Sequence, residues 1–277
     1  MNVKEIEVKS IITKSNLPAT DFVINPYIGC EHSCKYCYAD FMKRFTGHSS
    51  EKWGKFVDVK VNAPEKINKL KVPKDSLILF GSVTDPYQRI ESKYKITQKC
   101  LKKLLEYQPR IEILTKSPLI LRDLKLLKEF KNLKVGISIG ILDESYARYL
   151  EPCVASPLER VKTIKELSLN GIDVFLFMSP IFPEFSDIQG LLDLLKKDIN
   201  QAMFENLNIR KNNIKEIMNF VEKTKPELKD FYLSLQKNKS YWNNLEKEIR
   251  QECKKREIKP LIFFHHSETK NLEMKNF

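Results

Sequence analysis

Between Leu77 and Ile209 the chain alternates short apolar runs with stretches of helical periodicity, and this alternation leaves few folds open. Leu77-Ile78-Leu79-Phe80 is a continuous apolar run of the kind found in a strand buried on both faces. A helix near 94–107, a strand from Ile111 to Leu114, a helix over 119–130, a strand from Val135 to Ile141 and a helix over 157–169 follow, the last stopped by Asn170-Gly171. Then come a strand from Val174 to Met178 ending at Ser179-Pro180, a helix near 187–196, and a sixth strand from Met203 to Ile209. Such alternation predicts βαβ units around a parallel sheet.

The flanks are read from the same periodicities. Residues 1–20 form a lead-in with a short strand, and Asp21 to Ile28 reads as the first strand of the barrel. Phe41 to Phe45 belongs to a helix, and the polar stretch between His48 and Lys74 offers a strand at Phe56 to Val61 and a helix at Ala63 to Leu70. After the sixth strand, Ile214, Ile217, Met218 and Val221 mark one helical face, Lys223 to Lys239 reads as a mobile polar surface segment, and Trp242, Leu245 and Ile249 mark another helix. Leu261 to Phe264 reads as a closing strand that runs into His265 and His266, whose alternation sends at most one of them into a pocket. The expected organisation is a lead-in over 1–20, a barrel core over 21–210 and a C-terminal helical extension with a closing strand over 211–277.

The predicted first strand delivers Cys30, Cys34 and Cys37 at C-x3-C-x2-C spacing. Cysteine thiolates hold iron clusters, and these gaps let one loop wrap three sulfurs around a cubane of four irons. The next cysteine is Cys100, so one iron would lack a protein ligand. An open iron with room for a chelating molecule is a layout in which the amino and carboxylate groups of S-adenosylmethionine can sit. The alternatives are a three-cysteine zinc site completed by His32 or His48, and a redox pair formed by Cys34 and Cys37. Active sites of parallel α/β barrels gather at the C-terminal ends of the strands, where this loop falls.

Length and composition agree with one large domain: 277 residues, 42% of them hydrophobic, can bury a sizeable core. No basic-then-apolar leader and no long apolar run occurs, so a cytoplasmic protein with no membrane partner is expected. Cys100 and Cys253 lie on apolar helical stripes and read as buried free thiols. The formal charge of +12 invites a nucleic-acid partner. Only nine of the 48 basic residues are Arg, and lysines on solvated helix faces explain the charge equally well.

C-x3-C-x2-C with Tyr36 just before the last cysteine resembles the radical S-adenosylmethionine superfamily. The phrases Asn25-Pro26-Tyr27-Ile28-Gly29-Cys30, Gly81-Ser82-Val83-Thr84-Asp85-Pro86-Tyr87-Gln88, Leu114-Thr115-Lys116-Ser117, Leu150-Glu151-Pro152 and Ser156-Pro157-Leu158-Glu159-Arg160 narrow the resemblance to the spore photoproduct lyase-like group. The resemblance implies an α/β fold, a partial (β/α)6 TIM-type barrel open on one side. It also implies a [4Fe-4S] cluster on Cys30, Cys34 and Cys37, and reductive cleavage of S-adenosylmethionine to a 5′-deoxyadenosyl radical that takes hydrogen from a substrate. A nucleic acid or another macromolecule is the implied substrate, and a flavodoxin or ferredoxin the implied electron donor. A peptide- or small-molecule-modifying enzyme, or a non-catalytic metal- or nucleic-acid-binding module, are the other readings.

For the cofactor, the resemblance points to the turn of Gly81, Ser82 and Thr84 against the methionine moiety, to Tyr36 as a wall, and to Lys116 and Ser138 near the carboxylate and ribose. Arg160 opens a helix from which it could pair with a carboxylate or stay exposed, and Asn206, with Glu205 and Asn208, could touch adenine or ribose. His32, inside the cysteine loop, could bond a cluster sulfide or be solvated. Ser82 stands where true spore photoproduct lyases carry a hydrogen-donating cysteine. A hydroxyl O–H bond is too strong for that step.

Overall fold

A computed structural model of the protein describes residues 1–67, 72–73 and 75–264. The strands are β1 (Asn2–Ile6), β2 (Ile12–Lys14), β3 (Phe22–Ile24), β4 (Tyr27–Ile28), β5 (Phe56–Lys60), β6 (Leu77–Phe80), β7 (Arg110–Thr115), β8 (Leu133–Ser138), β9 (Asp173–Ile181), β10 (Gln201–Asn206) and β11 (Lys259–Phe263). The α-helices are α1 (Glu91–Tyr94), α2 (Ile96–Leu104), α3 (Leu124–Leu127), α4 (Glu144–Leu150), α5 (Pro157–Leu169), α6 (Ile188–Leu195), α7 (Ile214–Thr224), α8 (Lys229–Ser234) and α9 (Lys239–Lys255).

Eight strands form one sheet in the order β11-β10-β9-β8-β7-β6-β3-β2, parallel throughout except for the antiparallel β2–β3 pair. From β6 to β11 each strand is added beside its predecessor, with helices on the crossovers, as in a barrel. Among the described residues β2 and β11 do not pair, so the barrel is partial and open between them. A second sheet, β1-β5-β4, flanks it.

Several expected elements are divided, each for a local reason. The expected first strand splits because Pro26 has no N–H to give a ladder: β3 joins β6 in the barrel, while β4 crosses to β5 in the small sheet. The helix near 94–107 forms as α2, set off from the single turn of α1 by Lys95, whose φ of 55° is left-handed. Buried Glu91 then accepts from Thr97 N at 3.0 Å and Gln98 N at 3.2 Å, serving the free N–H groups at the start of α2. The helix over 119–130 is a 3-10 turn (Pro118–Asp123) followed by α3, and Phe41 to Phe45 lies in another, Tyr38–Phe45.

Helix α5 agrees with the periodicity, and Ser156 and Glu159 close a capping box at its start. Lys223 to Lys239 is not a mobile segment: it carries the end of α7, α8 and two 3-10 turns, anchored by buried Tyr232 and Leu235. The Tyr232 hydroxyl donates to Pro183 O at 2.7 Å. The expected closing strand is β11, which extends the barrel sheet beside β10, and α9 packs on it. His265 and His266 lie outside the described residues.

Candidate active site

The cysteine loop leaves β4 through Gly29, whose φ is +84°; a Cβ there would lie 2.4 Å from Phe56 O. Only glycine fits that approach. Gly29 O accepts from Thr84 Oγ1 at 2.5 Å and Gln88 Nε2 at 3.3 Å, and Gln88 Oε1 accepts from Glu31 N at 2.8 Å. The turn after β6 thereby holds the loop where its cysteines begin. Lys35 N donates to Leu150 O at 2.8 Å, tying the middle of the loop to the end of α4.

All six cysteines are free thiols, with Cys100 and Cys253 fully buried as expected. Cys30, Cys34 and Cys37 face one cavity of about 970 Å3 inside the barrel. Burial raises the pKa of each: Cys30 by desolvation and the nearby charge of Asp85, Cys34 by desolvation and Glu151, Cys37 to about 11. Thiols so placed become thiolates when a bound cation compensates the charge.

The same cavity is lined by Tyr36, Gly81, Ser82 and Thr84, and by Lys116, Ser138 and Asn206. Gly81 has a φ of +94°, and a Cβ on it would lie 2.7 Å from both Leu114 O and Pro86 Cδ. Ser82 Oγ accepts from Asn25 Nδ2 at 2.8 Å. Lys116 Nζ donates to Ser138 Oγ and lies 3.8 Å from Glu151.

Arg160 is brought elsewhere. It is 1% exposed, donates to Glu151 at 2.6 Å and to Ser138 O at 2.7 Å, and does not reach the cavity wall. The exposed first-turn alternative is thereby overturned. The carboxylate it meets is the protein's own, and Glu151 also accepts from the Tyr36 hydroxyl. Burial alone would raise the Glu151 pKa, but Arg160, Lys116 and Tyr36 together hold it below the ordinary value.

Neither histidine completes a zinc site. His48 meets Glu51 through Nδ1 at 2.5 Å and Asp58 through Nε2 at 2.8 Å. His32 is buried, not solvated, with Nε2 3.0 Å from Asp85 and Nδ1 3.3 Å from Cys153 O. A redox pair needs a thiol of depressed pKa, and both Cys34 and Cys37 are raised. Sequence reasoning passed over Asp85, whose carboxylate lies 3.0 Å from His32 Nε2 and accepts from Thr115 Oγ1 (2.6 Å) and Lys116 N (2.7 Å), and so joins the cysteine loop to β7. It also passed over Glu151 and Trp53. The phrase Leu150-Glu151-Pro152 was the one available signal for Glu151.

The sequence profile of the Radical SAM superfamily matches residues 24–195. The chain belongs to the radical SAM superfamily. A relative in Methanocaldococcus jannaschii, itself uncharacterized, is 33% identical over 258 residues, covering 93% of this chain and 95% of its own. One from Acidianus two-tailed virus, also uncharacterized, is 32% identical over 190 residues, 64% of this chain and 62% of its own. The fold is similar to that of spore photoproduct lyase complexed with dinucleoside spore photoproduct (TM-score 0.68, 17% identity, 95% of this chain and 82% of that one). Streptococcus suis SuiB bound to S-adenosylmethionine is a more distant likeness (TM-score 0.52, 14% identity, 88% and 49%). Membership makes this an enzyme of radical SAM type and implies S-adenosylmethionine and an iron-sulfur cluster. Among the described residues no helix is long and apolar enough to cross a membrane.

Proposed function

We propose that Cys30, Cys34 and Cys37 hold a [4Fe-4S] cluster, that S-adenosylmethionine binds beside it in the barrel cavity, and that the substrate is a nucleic acid entering through the open side. The observation that carries this reading is the placement of Cys30, Cys34 and Cys37 on the wall of one cavity that also holds Gly81, Lys116 and Ser138, with His32 and His48 each engaged by carboxylates.

Held by Cys30, Cys34 and Cys37, such a cluster would supply the electron for reductive cleavage of S-adenosylmethionine and so the means of hydrogen abstraction from the substrate. The chain's residues bind, orient and exclude water. Gly81 lets the backbone after β6 approach the methionine moiety, with Ser82 and Thr84 in the same turn. The Lys116 ammonium suits a carboxylate. Ser138 and Asn206 offer polar groups for the ribose and adenine, and Tyr36 forms a wall. Arg160 acts at one remove, through Glu151. The electron donor is of the flavodoxin or ferredoxin class, in the cytoplasm.

The nucleic-acid reading is supported by the charge of +12 and by the likeness to a lyase structure holding a dinucleoside lesion. With Ser82 hydrogen-bonded to Asn25, the chain offers no thiol there, so hydrogen return to the product takes another route than a cysteine after β6. The test is anaerobic reconstitution, then dithionite and S-adenosylmethionine, with 5′-deoxyadenosine quantified by mass spectrometry. The product should form and be lost in Cys34→Ala; its persistence in that variant sinks the assignment. Binding to DNA or RNA should weaken steeply with salt, and salt-insensitive or absent binding favours a peptide or small-molecule substrate.

A further inference from the structure

The 3-10 segment Tyr38–Phe45 begins on the wall of the cavity and ends in solvent. Tyr38 and Ala39 line the cavity, and the Tyr38 hydroxyl donates to Ser82 O. At the other end Phe45 is 76% exposed and meets Phe41 edge-on, with centroids 6.3 Å apart. An edge contact leaves a face of the Phe45 ring bare. The residues that follow β10 lie against the same segment: the Arg210 guanidinium stands 6.0 Å from the Phe41 ring centroid, and its Nε donates to Asn208 Oδ1 at 3.1 Å. Asn208 itself lines the cavity. Because β10 neighbours the edge strand β11, this rim lies beside the open side of the barrel.

Charge at the rim is uneven. The carboxylates of Asp40 and Glu216 are taken, the first by Lys43 at 2.8 Å and the second by Lys35 at 4.0 Å. Exposed Arg44, Arg210 and Lys211 form no ion pair among the described residues. Bare aromatic surface among uncompensated cations, at the mouth of a cavity, fits a polyanion whose units carry a flat face. An apolar protein partner would use the ring and gain nothing from the cations. A duplex would meet the cations and keep its base faces covered by their neighbours.

We infer that Phe45 and Phe41, with Arg44, Arg210 and Lys211, form a stacking platform for a single-stranded stretch of nucleic acid, holding unpaired bases at the rim of the cavity. The inference rests on the nucleic-acid reading proposed above and names the form of nucleic acid that the site takes. Every base has a π-face, so stacking on Phe45 is tolerant of sequence, while the flanking phosphates pair with the cations.

The experiment is fluorescence anisotropy of the reconstituted protein with labelled oligonucleotides of about 16 nucleotides, single-stranded and as a blunt duplex, over a series of salt concentrations. The single strand should bind more tightly than the duplex. Phe45→Leu keeps apolar bulk and loses the π-face; it should weaken single-strand binding about tenfold without changing the salt dependence. Phe45→Trp should bind at least as tightly as the unsubstituted protein. Arg44→Gln should act on the other component, reducing the slope of log affinity against log salt by about 0.7. Phe45 lies outside the core, and iron content and thermal melts of each variant confirm that the fold is kept. Single-strand binding as tight in Phe45→Leu as in the unsubstituted protein, or duplex binding as tight as single-strand binding, overturns the platform and leaves the nucleic-acid reading standing. Absence of any nucleic-acid binding by the unsubstituted protein overturns that reading and the platform together.

Discussion

Arg160 and Glu151 form an ion pair at 2.6 Å with side chains only 1% and 6% exposed. The pair stands behind the cavity, and through Glu151 it reaches Tyr36 in the cysteine loop and, at 3.8 Å, Lys116 on the cavity wall. Breaking one half of such a pair leaves an uncompensated buried charge, so Arg160→Met should destabilise the protein by about 3–5 kcal/mol. Adding Glu151→Met to that variant should return part of the loss, since two apolar groups need no partner. Urea unfolding of the single and double variants reads both; an additive loss contradicts the coupling.

Gly81 has a left-handed φ and two neighbours that a Cβ would strike. Gly81→Ala should cost about 1–3 kcal/mol in backbone strain alone. Because its turn borders the cavity, S-adenosylmethionine affinity of the reconstituted protein should fall as well. Equilibrium dialysis checks this, with unchanged affinity in a folded variant as the contrary outcome.

His48 stacks on Phe56 at 3.9 Å and lies between Glu51 and Asp58. Burial disfavours its charged form, yet the hydrogen bonds and charges of Asp58 and Glu51 outweigh it and raise the pKa above 6.5. A folded pKa above the unfolded one gives stabilisation that is complete below about pH 6.5 and is lost as pH rises through the folded value. Between pH 6 and 9 the urea midpoint should therefore decline, and His48→Gln should flatten that decline.

Glu112 faces the barrel interior from β7 near the strand N-termini, and burial pushes its pKa up to about 7, with Lys134 and Arg110 pulling the other way. The folded state binds this proton more tightly than the unfolded state. Its contribution is present below pH 4.5, the ordinary value, and is lost as pH climbs through 7. Glu112→Gln should thus stabilise the protein at pH 8 relative to the unsubstituted chain and make little difference at pH 4, as thermal melts at the two values would reveal.

The sequence by itself determined the βα alternation, because the apolar period of a strand or helix is set by neighbours a few positions away. It also determined the thiol triad, since three ligands within eight residues need only one loop to converge. Boundaries were less legible: Lys95 adopts a left-handed φ that delays the expected helix near 94–107 to Ile96, and the polar residues around Tyr232 and Leu235 hid a buried anchor. The support of the site was decided by tertiary structure alone. Tyr36 meets Glu151 across 115 positions and His32 meets Cys153 O across 121, contacts that exist only once the barrel brings the end of α4 against the cysteine loop. The same closure decided that Arg160 turns to Glu151 instead of the cavity. A guanidinium entering a water-poor interior is stable only beside a carboxylate, and the fold places that carboxylate within its reach.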